Sequence, residues 1–306
     1  MEGKPPITAL RAIEINVADL DRAVRFYTDV WALEPVGLSE GAHYFRASGP
    51  EHHVLILRSD AECELGLAAI ELAVRNQSEV QELYARLTTV GRRVDDEPRD
   101  LSSPGGGYGF TAYDGSGRCW NFSCDIEPHA DGAAKRDRPY KLSHVVLNSP
   151  NIADDLNFAI RDLGFRQRDE SKSMFFLGCN ADHHSLAYAK LGRLTLNHIA
   201  YEVPSLDAVM RNAGRLKRHG YPMQWGVGRH GPGDNVYSYY LDPEDVPIEY
   251  TTEVLQVNDE TYRPGTPSDW ERPPFYDAWD FADPPTPRFI EAMSGGRPLA
   301  RAQQTA

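Results

Sequence analysis

His144, His198 and Glu249 stand in three separate apolar segments, LSHVVLN, LNHIAYEV and VPIEYTT. In extended backbone Glu249 shares a face with Pro247 and Thr251, while Ile248 and Tyr250 take the other. A carboxylate in so apolar a strand needs a partner, because burying a bare charge is costly. A metal ion is one such partner; a solvated edge-strand position is the other reading. Two imidazoles and one carboxylate, with positions left open, form the facial triad suited to non-haem Fe(II) oxygen chemistry, and Mn(II) accepts the same ligand types.

The elements that must carry these residues recur. A strand over 7–16 leads to a helix from Asp19 to Trp31, with Leu20, Ala23, Val24, Tyr27 and Trp31 at helical spacing. Extended segments follow at 43–46, 53–57 and 67–74. The pattern Ser78-Glu-Val-Gln81 then opens a helix to about Val90. Strands near 108–113 and 119–124 close the series. A second series repeats it, with strands at 142–148, 175–177, 184–189, 194–203, 236–241 and 246–252. Its helices are marked by Ile152, Leu156, Ile160 and Leu163, and by 205–219. Aligning LRAIEINVADLDRAVRF with LSHVVLNSPNIADDLNF pairs Asn16 with Asn148 and Phe26 with Phe158. The repeat of about 130 residues indicates a duplication. In the first copy the places of His144, His198 and Glu249 hold Ala12, Ala69 and Asn121. A single histidine is best read as a satisfied core residue. Three candidate ligands facing three blank counterparts are best read as one metal site per chain.

The stretch GRHGPGDNVYSYYLDPEDVPIEY, residues 228–250, reads as two strands joined by an Asp-Pro turn. It resembles the signature of the type I extradiol ring-cleaving dioxygenases of the vicinal oxygen chelate superfamily. Gly228, His230, Tyr239, Asp242, Pro243 and Glu249 take the motif's places. Ser238 stands where the family prefers an apolar residue, and Asp245 where it usually has Gly. The segment FLGCNADHHSLAY (176–188) is similar to the one that supplies these enzymes' acid/base histidine, here His184, with His183 as a structural neighbour. The resemblance spans residues 7–252 and is strongest to the branch that cleaves dihydroxybiphenyls and substituted catechols. It implies an α+β fold of two tandem modules, each of paired βαβββ units forming a cup. It also implies metal ligation by His144, His198 and Glu249, proton transfer by His184, hydrogen bonding to substrate by Tyr239, and a supporting role for His230. The expected reaction is opening of a catechol-type ring by O2 with insertion of both oxygen atoms.

Domain boundaries are expected at 1–136, 137–254 and 255–306, with a small, polar linker at 129–139. The last of these is an arm dense in Pro and aromatics, including Trp270, Phe275, Tyr276, Trp279 and Phe281. Its prolines argue against regular structure. It is expected to pack over the second module or a neighbouring subunit, in a homo-oligomer, and to be frayed over its last ten residues. A net charge of −13 argues against nucleic acid and anionic membrane partners. The absence of a long apolar run or a signal-peptide core leads us to expect a cytoplasmic protein. The four cysteines lack metal or disulfide spacing and read as buried thiols. His43, His52, His53, His129 and His219 read as solvated, and the glycine run 103–107 lacks the Lys-Ser/Thr of a phosphate loop. Two alternatives use the same fold: a glyoxalase-like isomerase or epimerase, and a metal-free small-molecule-binding protein.

Overall fold

The computed structural model describes residues 5–270 and 277–295. Two eight-stranded mixed sheets carry the chain. The first contains β1 (Ile7–Asn16), β2 (Glu34–Ser39), β3 (Ala42–Arg46), β4 (Leu55–Arg58), β5 (Gly66–Val74), β6 (Arg99–Asp100), β7 (Tyr108–Tyr113) and β8 (Cys119–Cys124). The second contains β9 (Lys141–Asn148), β10 (Arg166–Glu170), β11 (Met174–Gly178), β12 (Leu186–Ala189), β13 (Thr195–Glu202), β14 (Trp225–Arg229), β15 (Val236–Leu241) and β16 (Pro247–Thr252). Their spatial orders, β2-β3-β4-β1-β5-β8-β7-β6 and β10-β11-β12-β9-β13-β16-β15-β14, are the same topology written twice. Each sheet is two βαβββ units joined edge to edge, as the duplication implied.

The register tests the alignment of the copies residue by residue. His144 lies opposite Ala200 as Ala12 lies opposite Glu71, and Val146 faces His198 as Glu14 faces Ala69. Glu249 pairs with Ala200 as Asn121 pairs with Glu71. The three blank counterparts are therefore the structural equivalents of the three ligands.

Four helices cover the outer faces. α1 (Leu20–Arg25) and its π-type continuation over Phe26–Val30 match the expected helix; α2 (Gln77–Thr89) starts earlier than expected. Asn76, not Ser78, is its cap, accepting from the Glu79 amide. A tighter hydrogen-bonding side chain just upstream outcompeted the apparent box. α3 (Ile152–Leu156) also passes into a π turn, and α4 (Leu206–Arg218) is capped by Ser205. The short, polar strands β2, β6, β10 and β14 escaped the sequence reading because they lie toward or at sheet edges, where one-sided apolar alternation is not required.

One core runs through both halves. Trp31 from the first half stacks on Tyr250 of β16 at 3.7 Å, and the Tyr250 hydroxyl donates to the Trp31 carbonyl at 2.8 Å. Arg118, buried beside Asp114 and Asp155 at 3.0 Å each, also donates to the Asn148 carbonyl at 2.7 Å. The C-terminal arm lies on the second half. It is not wholly irregular: Pro287 opens α5 (Pro287–Met293), capped by Thr286. Proline fits a helix's first turn, where its missing N–H costs nothing, so the proline content did not exclude this helix. Phe275, Tyr276 and the last ten residues lie outside the described residues. Among the described residues no helix is long and apolar enough to cross a membrane.

Candidate metal centre

The spatial order of the second sheet reads out the site one strand at a time. His184 lies two residues before β12, His144 is on β9, His198 on β13, Glu249 on β16 and Tyr239 on β15, and His230 follows β14. These six positions thus fall along six neighbouring strands. His184 was expected inside a strand; it sits instead in the turn before β12, where its backbone is not bound into the ladder.

His144, His198 and Glu249 each present a ligand atom, and all three atoms lie within 4.8 Å of one another. His144 Nε2 is 3.2 Å and His198 Nε2 3.3 Å from Glu249 Oε2. All three side chains are buried, Glu249 completely. His198 Nε2 is buried 3.3 Å from Glu249 Oε2 but makes no well-aligned hydrogen bond there. An orphaned imidazole nitrogen is costly unless something else takes its lone pair. Two imidazoles and a carboxylate with adjacent open positions fit Fe(II) or Mn(II). Burial alone would raise the Glu249 pKa, but the imidazoles of His144 and His198 beside it hold the carboxyl well below its usual range. Burial pushes the His198 pKa down, which keeps the ring neutral and able to ligate.

The outer nitrogens are held as metal-binding histidines require. His198 Nδ1 donates to Asn197 Oδ1 at 2.8 Å; Asn197 Nδ2 donates to Asn148 Oδ1 at 2.9 Å; Asn148 Nδ2 donates to the Thr195 hydroxyl and to the Met293 carbonyl of α5, both at 2.7 Å. Each amide's orientation is thus set by the next, and the chain ends on a carbonyl that can only accept. Ser143 Oγ lies 3.2 Å from His144 Nδ1. Asn235 donates to Glu249 Oε1 at 3.4 Å and to Thr251 Oγ1 at 2.8 Å. Sequence reading missed Asn197, Asn235 and Ser143. Adjacency to a ligand was the available signal for Asn197 and Ser143; for Asn235 there was none.

Around the triad stand the other expected residues. The His184 ring lies 4.3 Å from that of His144, and burial, with His144 and His183 nearby, pushes its pKa well below the ordinary value. Tyr239 OH is 2.9 Å from His230 Nε2. Burial and the facing Glu249 carboxylate raise the Tyr239 pKa, so it remains a hydroxyl donor. His230 is pushed down to about 4, chiefly by burial, and is neutral near neutrality. Trp225 stacks on Tyr239 at 5.1 Å, Tyr237 on His230 at 4.0 Å, and Phe289 of the arm tilts against Tyr239 at 5.2 Å. This makes an aromatic wall beside the metal ligands.

The first copy is blank in ligands but not in polar groups. The register places His53 where His184 stands and His52 where His183 stands. His53 was expected to be solvated; it is buried, with Nε2 2.8 Å from Glu71. Glu71 occupies the place of Ala200, so this histidine is satisfied by a carboxylate on the neighbouring strand. Asn121 accepts from Thr111 at 2.8 Å. Of the cysteines, Cys124 and Cys179 are buried as expected, whereas Cys63 is exposed.

The Glyoxalase/Bleomycin resistance protein/Dioxygenase superfamily matches residues 9–122 and 141–250, one match per copy. Metapyrocatechase 2 of Cupriavidus necator is 33% identical over 123 residues, 39% of this chain and 38% of that protein, so the chain spans well under half of that relative's length. A 3-methylcatechol 2,3-dioxygenase of Pseudomonas putida is 25% identical over 270 residues, 80% of this chain and 89% of its own. The crystal structure of a Mn(II)-bound glyoxalase from Novosphingobium aromaticivorans superposes with a TM-score of 0.86 at 37% identity, covering 93% of this chain and 94% of that one. The chain belongs to the Glyoxalase/Bleomycin resistance protein/Dioxygenase superfamily, with two modules and a single ligand set in the second.

Proposed function

We propose that this protein is a non-haem Fe(II)-dependent extradiol dioxygenase that opens a substituted catechol. The single observation that carries this reading is the set of His144, His198 and Glu249 converging in one copy only, with His184 just ahead of β12 on one side and Tyr239 on β15 on the other. His144, His198 and Glu249 would hold the metal, which when bound would supply a Lewis acid that makes a catechol's hydroxyls more acidic and an open position for O2.

The chain's own residues do the rest. His184, neutral at physiological pH because of its burial, accepts a proton from a substrate hydroxyl and later returns it. Tyr239 keeps its hydroxyl proton and donates a hydrogen bond to a substrate oxygen, steadying charge that builds there. His230 holds the Tyr239 hydroxyl at 2.9 Å and so fixes its direction. Trp225, Phe289 and Phe176, whose ring is 5.2 Å from that of His184, give the ring of the substrate apolar walls and keep water from the reacting edge. The likeness to a metapyrocatechase and to a 3-methylcatechol 2,3-dioxygenase supports a catecholic substrate.

The extensive likeness to a protein described as a glyoxalase favours one second reading, a metal-dependent isomerase. Against it, the first copy offers Ala12, Ala69 and Asn121 where such a site would draw further ligands. The test is to mix the Fe(II)-loaded protein anaerobically with catechol, substituted catechols and dihydroxybiphenyl, then admit O2. A yellow ring-opened product that forms only with O2 supports the dioxygenase. Turnover of an α-oxoaldehyde–thiol adduct without O2, with all catechols inert, supports the isomerase.

A further inference from the structure

His183 was expected to be only a structural neighbour of His184, and the site described above does not use it. Yet it is fully buried, and both ring nitrogens are engaged. Nε2 meets Asp169 Oδ2 and the Tyr262 hydroxyl, each at 3.0 Å. Nδ1 meets Nδ1 of His184, also at 3.0 Å. Asp169 is fully buried too. Its Oδ1 accepts from the Gly265 amide at 2.6 Å and from the Tyr262 hydroxyl at 3.0 Å. Burial would raise its pKa, but these donors and His183 hold the carboxyl below its ordinary value, so it is ionised and only accepts.

Proton accounting then decides the tautomers. An acceptor-only carboxylate at Nε2 requires that His183 carry its proton there. A neutral imidazole protonated at Nε2 offers a lone pair at Nδ1. Two Nδ1 atoms 3.0 Å apart share one proton, so it must come from His184. His184 is left with its lone pair on Nε2, the nitrogen not engaged with His183.

We infer that Asp169 and His183, braced by Tyr262, form a buried relay that fixes His184 in its Nδ1–H tautomer and makes Nε2 its proton-accepting atom. These are positioning residues, and the inference rests on the acid/base role proposed for His184. Tyr262 and Gly265 belong to the C-terminal arm, so this segment completes the relay as well as covering the second module. The arrangement parallels the hydrolase triads, in which a buried carboxylate sets a catalytic imidazole's tautomer.

Asp169→Asn separates tautomer control from packing. The amide oxygen would stay at the Oδ1 place, where Gly265 and Tyr262 both donate. The amide nitrogen would then face His183 Nε2, forcing His183 to carry its proton on Nδ1 and His184 to carry its own on Nε2. Nitrogen NMR of the labelled, metal-free protein reads these tautomers directly, with His184→Asn identifying the resonances. The expected result is Nδ1–H at His184 in the wild type and Nε2–H in Asp169→Asn. In the metal-loaded Asp169→Asn enzyme, kcat should fall by about 10²–10⁴-fold with KM for the catechol little changed. Tyr262→Phe keeps the carboxylate and should keep the wild-type tautomer, with a much smaller loss in kcat. Nε2–H at His184 in the wild type overturns the relay, whether or not Asp169→Asn folds. So does a folded, metallated Asp169→Asn enzyme with wild-type kcat. Inert catechols would instead remove the activity reading and leave the tautomer measurement standing.

Discussion

Glu249 shows how one residue can be both a liability and a device. Left alone, a fully buried carboxylate would unfold the strand that carries it or become protonated. With two imidazoles 3.2 and 3.3 Å from one oxygen it stays ionised, and the three groups become a ready metal clasp. His144→Ala, His198→Ala and Glu249→Ala should each lose bound metal and activity while the fold persists, as metal analysis and circular dichroism on the same samples would report. Full metal occupancy in all three would contradict the assignment. His184 differs in kind, since it faces the triad without being one of the ligands. His184→Phe should keep the metal and bind catechol, yet lose about 10²–10⁴-fold in kcat; near-normal turnover of a folded, metallated variant would leave it as packing. These residues were legible because their chemistry contradicts their surroundings: charged or titratable groups inside apolar strands. Asn197 and Asn235 were not, because an amide among loop and strand residues carries no such contradiction until its partners are known. Nor was the burial of His53, whose partner Glu71 lies on a strand that sequence order does not place beside it.

The β15–β16 hairpin is the element that brings Tyr239 and Glu249 into register, directly opposite one another. Its turn is tied by Asp242, which accepts from the Glu244 and Val246 amides at 2.8 Å each and from Tyr27 OH at 3.0 Å. Burial pushes the Asp242 pKa up to about 7 despite those donors. An acid with a higher pKa folded than unfolded binds protons more tightly in the folded state. Its contribution is full below the unfolded value and is lost as pH rises to about 7. Asp242→Asn keeps an oxygen for the two amides and removes the charge, so the wild type should lose melting temperature relative to this variant between about pH 4 and pH 7. Parallel melting curves across that range would contradict it. The long elements, β1, β9, β13 and α4, could be read from apolar periodicity, because each buries one or both faces against the core. The π turns after α1 and α3 could not, since their extra residue per turn leaves the apolar spacing almost unchanged. α5 was hidden by prolines that serve as a helix start.

At the scale of the whole molecule, the copy without ligands supports the copy with them. Arg118 of the first half grips the carbonyl of Asn148, the same residue that orients Asn197 and through it His198. Trp31 lies flat on Tyr250, next in sequence to Glu249. Trp31→Ala should cost about 3–5 kcal/mol of stability and weaken metal retention, though no atom of Trp31 belongs to the site; unchanged metal affinity in the folded variant would limit its role to the core. The blank set Ala12, Ala69 and Asn121 requires one catalytic metal per chain, and two metals per chain, both needed for turnover, would contradict the reading of the duplication. The central claim is that this single clasp delivers O2 to an aromatic ring. The most direct test is to supply isotopically labelled O2 to the Fe(II)-loaded protein with a substituted catechol that it turns over, and to weigh the product. The account predicts a ring-opened product carrying both atoms of one O2, formed by the wild type and not by Glu249→Ala. A product carrying no label from O2 would contradict it.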